Sequence, residues 1–447
     1  MKKFVFALAA IAAVTVSCNT KLESDTPKDE PVAVDFSAYL NRGVTTKAGV
    51  TGELTTDGLK GADGFGVFAY YTADEPYSGA SGPSFMYNEK VTYDGTNWVY
   101  SPIKYWPNEF GAAASSDEVD RITFFAYAPY VAVTPSNGMV TGTENTTGIV
   151  ALSRNSVGGD PIVKYIVSLD PTTCVDLCWG VSKDGLTASV DGSNNHVAKG
   201  APYIDVVKLK LGDKIDYDFH HALSAINVTI DAAVDAATPG TAVDADTKIF
   251  IRSVSFEGLA TKGALNLNST AANGPLWTDY SGSGTPLAEV LTVYDGRRDG
   301  KEGVEGAVAS NETPLGLNPV LIQDKPYTSS VTPGVTKTAV NLFNATSSTA
   351  SVFVIPSSEP LKVTLVYDVE TKDDKLSTLL SDGVTHGSTV ENVISKNIQI
   401  GGSDFSLEAG KKYTIALHIG LTSVKFDASV KPWTAGSDAN VDLPQNN

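Results

Sequence analysis

The chain has 447 residues, 42% of them hydrophobic, and its 33 basic and 51 acidic side chains leave a formal net charge of −18. That length and apolar content can bury more than one core. A surface so acidic excludes nucleic acid as a partner and electrostatic docking onto anionic lipid, because both depend on clustered Lys and Arg.

The first eighteen residues stand apart. Lys2 and Lys3 form a positive start, Phe4 to Val16 is an apolar run, and Ser17-Cys18 closes it. The run is too short to span a bilayer, so residues 1–18 read as an export signal. Cys18 after a small residue is similar to a lipobox, whose thiol takes diacylglycerol and becomes the mature N-terminus, although Thr15 stands where a branched aliphatic is usual. Residues 19–31 are polar and carry two prolines, which predicts a flexible tether.

"VAVDFSAYL" follows, with Val32, Val34, Phe36, Ala38 and Leu40 on one side and Ala33, Asp35, Ser37 and Tyr39 on the other. This period of two predicts a half-buried strand. It ends at Asn41-Arg42-Gly43, before a run of small, threonine-rich residues. Strand-like runs then come steadily: 64–72, 90–102, 121–130, 161–169, 174–182 and 201–212, then 224–232, 248–259, 350–356, 361–370, 412–421 and 423–433. Asp94-Gly95 splits two alternating runs and predicts a tight hairpin. No long segment carries a helical period. Short strands separated by Gly, Asn and Asp predict an all-β chain of antiparallel sandwiches. Two fit the length: an N-terminal one over 32–212 and a C-terminal one over 213–447, with the seam at Gly212-Asp213. Residues 131–160, 183–200 and 268–345 read as long decorating loops.

Chemistry-bearing patterns are sparse. Besides Cys18, the cysteines are Cys174 and Cys178; on one strand they would sit roughly 13 Å apart, beyond disulfide reach. They are expected as buried small hydrophobes, with no neighbouring ligands for zinc and no metal or cofactor implied. His220 and His221 are adjacent and face opposite sides of a strand, and the other histidines are scattered. "GADGFG" and "SGSGTP" lack a following helix, so neither makes a phosphate cradle. In "VYDGRRDGKEG" (293–303) Arg297 blocks a calcium-loop reading and leaves an exposed basic turn. The chain offers no serine elbow and no distinguishable carboxylate pair, so no catalytic residue is nominated and the protein is expected not to be an enzyme. Trp98, Tyr100, Tyr105, Trp106, Phe124, Phe125, Tyr127 and Tyr130 are dense enough for core packing or for stacking on sugar.

"WVYSPIKYWP" (98–107) and "ITFFAYAPY" (122–130) resemble the first-domain signature of Bacteroides-type fimbrillin-like proteins, the subunits of type V pili. "DFHHALSAINVTI" (218–230), "IRSVSFEGL" (251–259) and "VFVIPSSEPLKVTLVYDV" (352–369) are similar to the second-domain run. "LEAGKKYTIALHIGLTSVKFDASVKPW" (407–433) resembles the closing strands. The resemblance implies two tandem transthyretin-like β-sandwich domains, export as a lipoprotein, and placement at the outer-membrane surface in a fimbrium. It also implies cutting by an arginine-specific protease behind the first strand and polymerisation with other pilus subunits by donor-strand exchange. Residues 32–42 would then be the removable strand, cut at Arg42 or at its rival Lys47. Val424, Phe426, Ala428 and Val430 would form a donor or closing strand. The tail beyond Trp433 offers only Val441 and Leu443 as strong anchors, which admits a tip or accessory role. A monomeric surface lipoprotein that binds glycans through loop aromatics is the rival from another class.

Overall fold

The computed structural model describes residues 31–40, 54–61, 63–109, 118–141, 147–186, 197–232, 247–282, 284–285, 289–295, 340–343, 350–380, 385–419 and 424–432. The signal segment with Cys18, nearly all of the tether, Arg42, Lys47, the Arg297-Arg298 turn, Trp433 and the tail lie outside the described residues. The described chain is almost entirely β. Its first half holds β1 (Phe36–Leu40), β2 (Phe65–Ala73), β3 (Met86–Tyr93), β4 (Trp98–Val99), β5 (Arg121–Ala128), β6 (Gly148–Leu152), β7 (Ile162–Ile166), β8 (Cys178–Ser182), β9 (Tyr203–Val206) and β10 (Ile215–His221). There follow β11 (Ser224–Ala232), β12 (Thr247–Leu259), β13 (Lys262–Thr270), β14 (Gly274–Thr278), β15 (Glu289–Asp295), β16 (Val340–Asn341), β17 (Val352–Val354), β18 (Lys362–Lys372), β19 (Gly387–Asn397), β20 (Gln399–Ile400), β21 (Ser403–Asp404), β22 (Lys411–Ile419) and β23 (Val424–Pro432). Among the described residues one helical turn, α1 (Thr56–Leu59), is capped by the Thr55 hydroxyl, which accepts from the Gly58 N–H at 3.0 Å.

The first sheet runs β1-β10-β8-β5-β2-β3-β4, with β9 paired to β5. Its central strands are buried on both faces, which is why 65–70 and 122–128 read as nearly unbroken apolar runs rather than as alternations. On one face Phe68, Tyr70, Phe125, Tyr127, Trp179 and Val181 pack against the second sheet, β14-β13-β7-β6. The other face curls on itself around Phe65, Val67, Phe124, Ala126, Tyr217 and Phe219. Two further sheets, β16-β11-β22-β23 with β17 beside β11, and β15-β12-β18-β19, carry the later part of the chain. Leu223, Val228, Val254, Val363, Leu365 and Ile415 are buried between them.

Several expectations are corrected. Gly212-Asp213 is not where the chain leaves the first sheet: β10 lies beyond it, flanked there by β1 and β8. The chain changes sheets at Ala222-Leu223, because Ile215, Tyr217 and Phe219 bury into the first core. The segments expected as loops at 131–160 and 268–345 contain β6, part of β13, β14, β15 and β16. The sequence of β6, "GIVAL", is apolar without alternation and so lacks the period that marks a half-exposed strand. The β13–β14 hairpin joins the β7–β6 pair by docking β13 on β7 from about 100 residues along the chain, a pairing no local pattern encodes. The pairing is mainly antiparallel, as expected, with two parallel pairs among the described strands, β1 with β10 and β11 with β22. Cys174 sits in a turn, its N–H donating to Asp170 O at 2.9 Å, so it does not share a strand with Cys178.

The Asp94-Gly95 hairpin forms as expected. Asp94 Oδ1 accepts from the Thr96 and Asn97 N–H groups, and those bonds lower its pKa.

Packing in the first core leaves no slack at Gly66. A Cβ built there would lie 2.4 Å from Tyr127 Cε1 and 2.8 Å from Asn88 Oδ1. The Tyr127 ring cannot retreat, since its hydroxyl donates to Asn88 Oδ1 at 2.7 Å and accepts the Val131 N–H at 3.2 Å. Gly66→Ala is therefore expected to destabilise the protein by about 1–3 kcal/mol, read as a lower denaturation midpoint at unchanged m-value.

Candidate functional site: the first strand and its groove

Side chains with a period of two must sort to opposite faces of an extended segment. Val32, Val34, Phe36, Ala38 and Leu40 are all buried, whereas Tyr39 is 44% exposed. The backbone of this segment is bonded on both flanks. On one flank the Val34 N–H donates to Lys104 O at 2.9 Å and the Trp106 N–H to Val32 O at 2.8 Å, with Ala33 opposite Tyr105. On the other, Phe36 to Leu40 lie beside Ile215 to Phe219, and the Ile215 N–H donates to Asp35 O at 2.9 Å. Residues 32–40 thus bridge the two margins of the curled first sheet.

Phe36 is the centre of the contact. Its ring stacks on Tyr217 at 6.3 Å between centroids and 14° between planes. Phe65, Phe124 and Tyr100 meet it edge-on. Polar bonds fix the register. The Ser37 hydroxyl donates to Asp216 Oδ1 at 2.5 Å, and the Thr56 hydroxyl donates to Leu40 O at 2.9 Å. Burial raises the Asp216 pKa, with the Ser37 hydrogen bond and the Lys183 ammonium acting the other way. The Tyr100 hydroxyl donates to Val34 O at 2.7 Å and accepts the Lys104 N–H at 3.1 Å. Burial pushes that phenol up to about 12, so it remains a donor at neutral pH. On the outer face the Lys183 ammonium lies 3.3 Å from the centroid of the Tyr39 ring.

The far end of the chain is arranged differently. β23 pairs antiparallel with β22 from Val424↔Ile419 to Pro432↔Lys411 and, among the described residues, has no strand on its other side. Ala428 is buried and Val430 half-buried against the core, while the side chains of Val424 and Phe426 lie outside the described residues. The aromatics weighed as sugar platforms are mostly structural: Trp106, Phe124, Phe125 and Tyr127 are buried, and Tyr105 is 54% exposed.

One cluster was missed at the level of sequence. Cys178 and His221 face each other across β8 and β10, and Asp176 lies beside them; all three are buried. The expectation that nothing near the cysteines could ligate a metal is corrected here. His221 lies 43 residues from Cys178 along the chain, and only strand pairing brings it near. As expected, His220 points to the other face, half-buried.

The profile of a family described as Fimbrillin-like matches residues 46–433. A curated relative, fimbrium subunit Fim1C of Phocaeicola vulgatus, is 23% identical over 99% of each chain. The crystal structure of a fimbrial protein from Bacteroides vulgatus superposes with a TM-score of 0.52 at 21% identity, covering 91% of this chain and all of that one. A structure described as a proposed cell adhesion protein from Bacteroides uniformis covers 90% of this chain and 99% of that one, at 14% identity and a TM-score of 0.37. With the profile running through nearly every described sheet, this chain belongs to the fimbrillin-like family.

Proposed function

We propose that the protein is a structural subunit of a cell-surface fimbrium and polymerises by strand exchange after its first strand is cut away. Its two sandwich domains meet near Ala222-Leu223. The observation that carries this reading is the double role of residues 32–40. They complete a core through five buried apolar side chains, yet they form the first strand, and the stretch 41–53 that follows them in sequence carries Arg42 and Lys47. A cut behind Arg42, or behind Lys47, would free both flanks of the groove at once, and an incoming strand would meet backbone donors and acceptors together with alternate side-chain pockets. Fim1C, similar along its whole length, is named as a fimbrium subunit, which supports the same assignment and a non-enzymatic role. In this reading Cys18 carries the lipid that holds the precursor at the outer membrane, and β23, at the margin of its sheet, is the candidate donor. Adhesion follows from presenting such subunits at the cell surface.

The test is N-terminal sequencing and intact mass of the protein recovered from cells, beside unheated gel electrophoresis. A terminus beyond Arg42 in copies that migrate as SDS-resistant ladders is expected. A lipidated Cys18 terminus in every copy, with no ladder, would overturn the proposal in favour of a monomeric surface lipoprotein.

A further inference from the structure

We infer that Asp176, Cys178 and His221 form a zinc site buried at the end of the first sheet. The proposal stands apart from the strand-exchange reading, since the cluster sits on β8 and β10 just past the stretch of β10 that pairs with β1, and it is tested without any cut.

Three donor types converge. Cys178 Sγ lies 3.6 Å from His221 Nδ1, and His221 Nδ1 lies 2.8 Å from Asp176 Oδ2. All three ligand atoms fall within 4.8 Å of one another. The fold supplies them from rigid positions: Cys178 and His221 are directly opposed on β8 and β10, and Asp176 enters β8 two residues earlier. A fourth group steadies the carboxylate, the Leu54 N–H donating to Asp176 Oδ2 at 2.9 Å.

A catalytic relay and a bare ion pair both fit this geometry less well. A thiol–imidazole–carboxylate relay needs the sulfur and the carboxylate on different ring nitrogens, so that one orients the ring while the other exchanges a proton. Here both lie at Nδ1. A hydrogen-bonded ion pair alone leaves the other carboxylate oxygen without compensation. Asp176 is 1% exposed, and its Oδ1 has no hydrogen-bond partner among the described residues. Burying an acceptor that way is costly unless something else compensates the carboxylate.

A divalent ion would do so. Tetrahedral zinc with bonds of about 2.0–2.3 Å places its ligand atoms about 3.3–3.8 Å apart, which suits the sulfur–nitrogen separation. The nitrogen–oxygen separation is that of a shared proton, and it would open as zinc replaces that proton. On binding, Zn–S, Zn–N and Zn–O bonds form, the Cys178 thiol releases one proton to solvent, and the proton held between His221 Nδ1 and Asp176 Oδ2 transfers through solvent to Nε2. His221 coordinates through Nδ1 as the neutral imidazole protonated on Nε2, and water takes the fourth position. Thiolate with imidazole favours zinc over magnesium or calcium, which prefer all-oxygen sites. The ion would lock β8 to β10 and, through Leu54, hold the start of the chain that follows the first strand.

The full-length chain, purified from cells grown with added zinc, should retain about one equivalent of zinc after dialysis against metal-free buffer. Refolded with Co2+, it should show the near-ultraviolet charge-transfer band of a cobalt–thiolate bond. Cys178→Ser should abolish the band, and Asp176→Asn and His221→Gln should each weaken binding at least tenfold. Cys174→Ser and Cys18→Ser should retain both band and stoichiometry. Should Cys178→Ser fail to fold, the wild-type melting temperature decides the matter: a rise with zinc and none with calcium supports the site. Folded wild-type protein that holds no zinc, shows no cobalt–thiolate band and melts unchanged with zinc would overturn the proposal. So would full zinc retention by folded Cys178→Ser.

Discussion

A chain cut behind Arg42 and stripped of residues 1–42 should cease to be a stable monomer and should bind a synthetic peptide spanning 32–40 at one-to-one stoichiometry. The four larger side chains on the buried face each contribute about 1.5–3 kcal/mol, with less from Ala38, and together about 6–12 kcal/mol. That is comparable with the whole stability of a typical domain, about 5–15 kcal/mol. Without the segment, Phe65, Phe124 and Tyr217 lose the ring that packs among them, and the backbone at Lys104–Trp106 and at Ile215–Phe219 loses its partner on one side. Bare apolar grooves with open sheet margins associate with whatever strand is available. The peptide should restore monomers and quench the binding of an apolar dye. A peptide carrying Phe36→Asp should bind at least about a hundredfold more weakly, equivalent to about 2.8 kcal/mol. A trimmed protein that remains monomeric, binds no dye and ignores the wild-type peptide would remove the basis for strand exchange.

Phe36→Ala in the intact chain should cost about 3–5 kcal/mol, the largest loss expected from a single substitution in the strand. The ring touches four aromatic neighbours inside a core that cannot collapse around a missing ring, because both flanks of the segment are pinned by backbone bonds. Tyr39→Ala, three residues on and facing outward, should cost no more than about 1 kcal/mol, chiefly its contact with Lys183. Urea denaturation of the two variants beside wild type measures the contrast. Equal losses would mean that the alternating pattern does not govern how this strand docks.

The strand over 32–40 was legible because its alternation matches the one physical demand placed on it, to bury one face and wet the other. The Asp94-Gly95 turn was legible for a similar reason, since its conformation is set by the residues that adopt it. Strands buried on both faces, such as β6, carry no period, and β19, exposed along most of its length, carries no apolar face; neither could be recognised locally. The boundary expected at Gly212-Asp213 followed a turn, yet a turn says nothing about which sheet the next strand joins. Burial of Ile215, Tyr217 and Phe219 in the first core decided that. The candidate groove was half readable: its occupant was visible in the sequence, but its walls at Lys104–Trp106 and Ile215–Phe219 were not.

By itself, then, the sequence determined the all-β class, the apolar face of the first strand and the resemblance to fimbrillin-like proteins, because these reside in local periodicity and in the order of short runs. Tertiary structure alone decided the parallel docking of β1 on β10, the entry of the β13–β14 hairpin beside β7, and the meeting of Asp176, Cys178 and His221. Each depends on pairing between strands far apart in the chain. Such contacts are selected by the burial they jointly achieve, and no local segment specifies that burial.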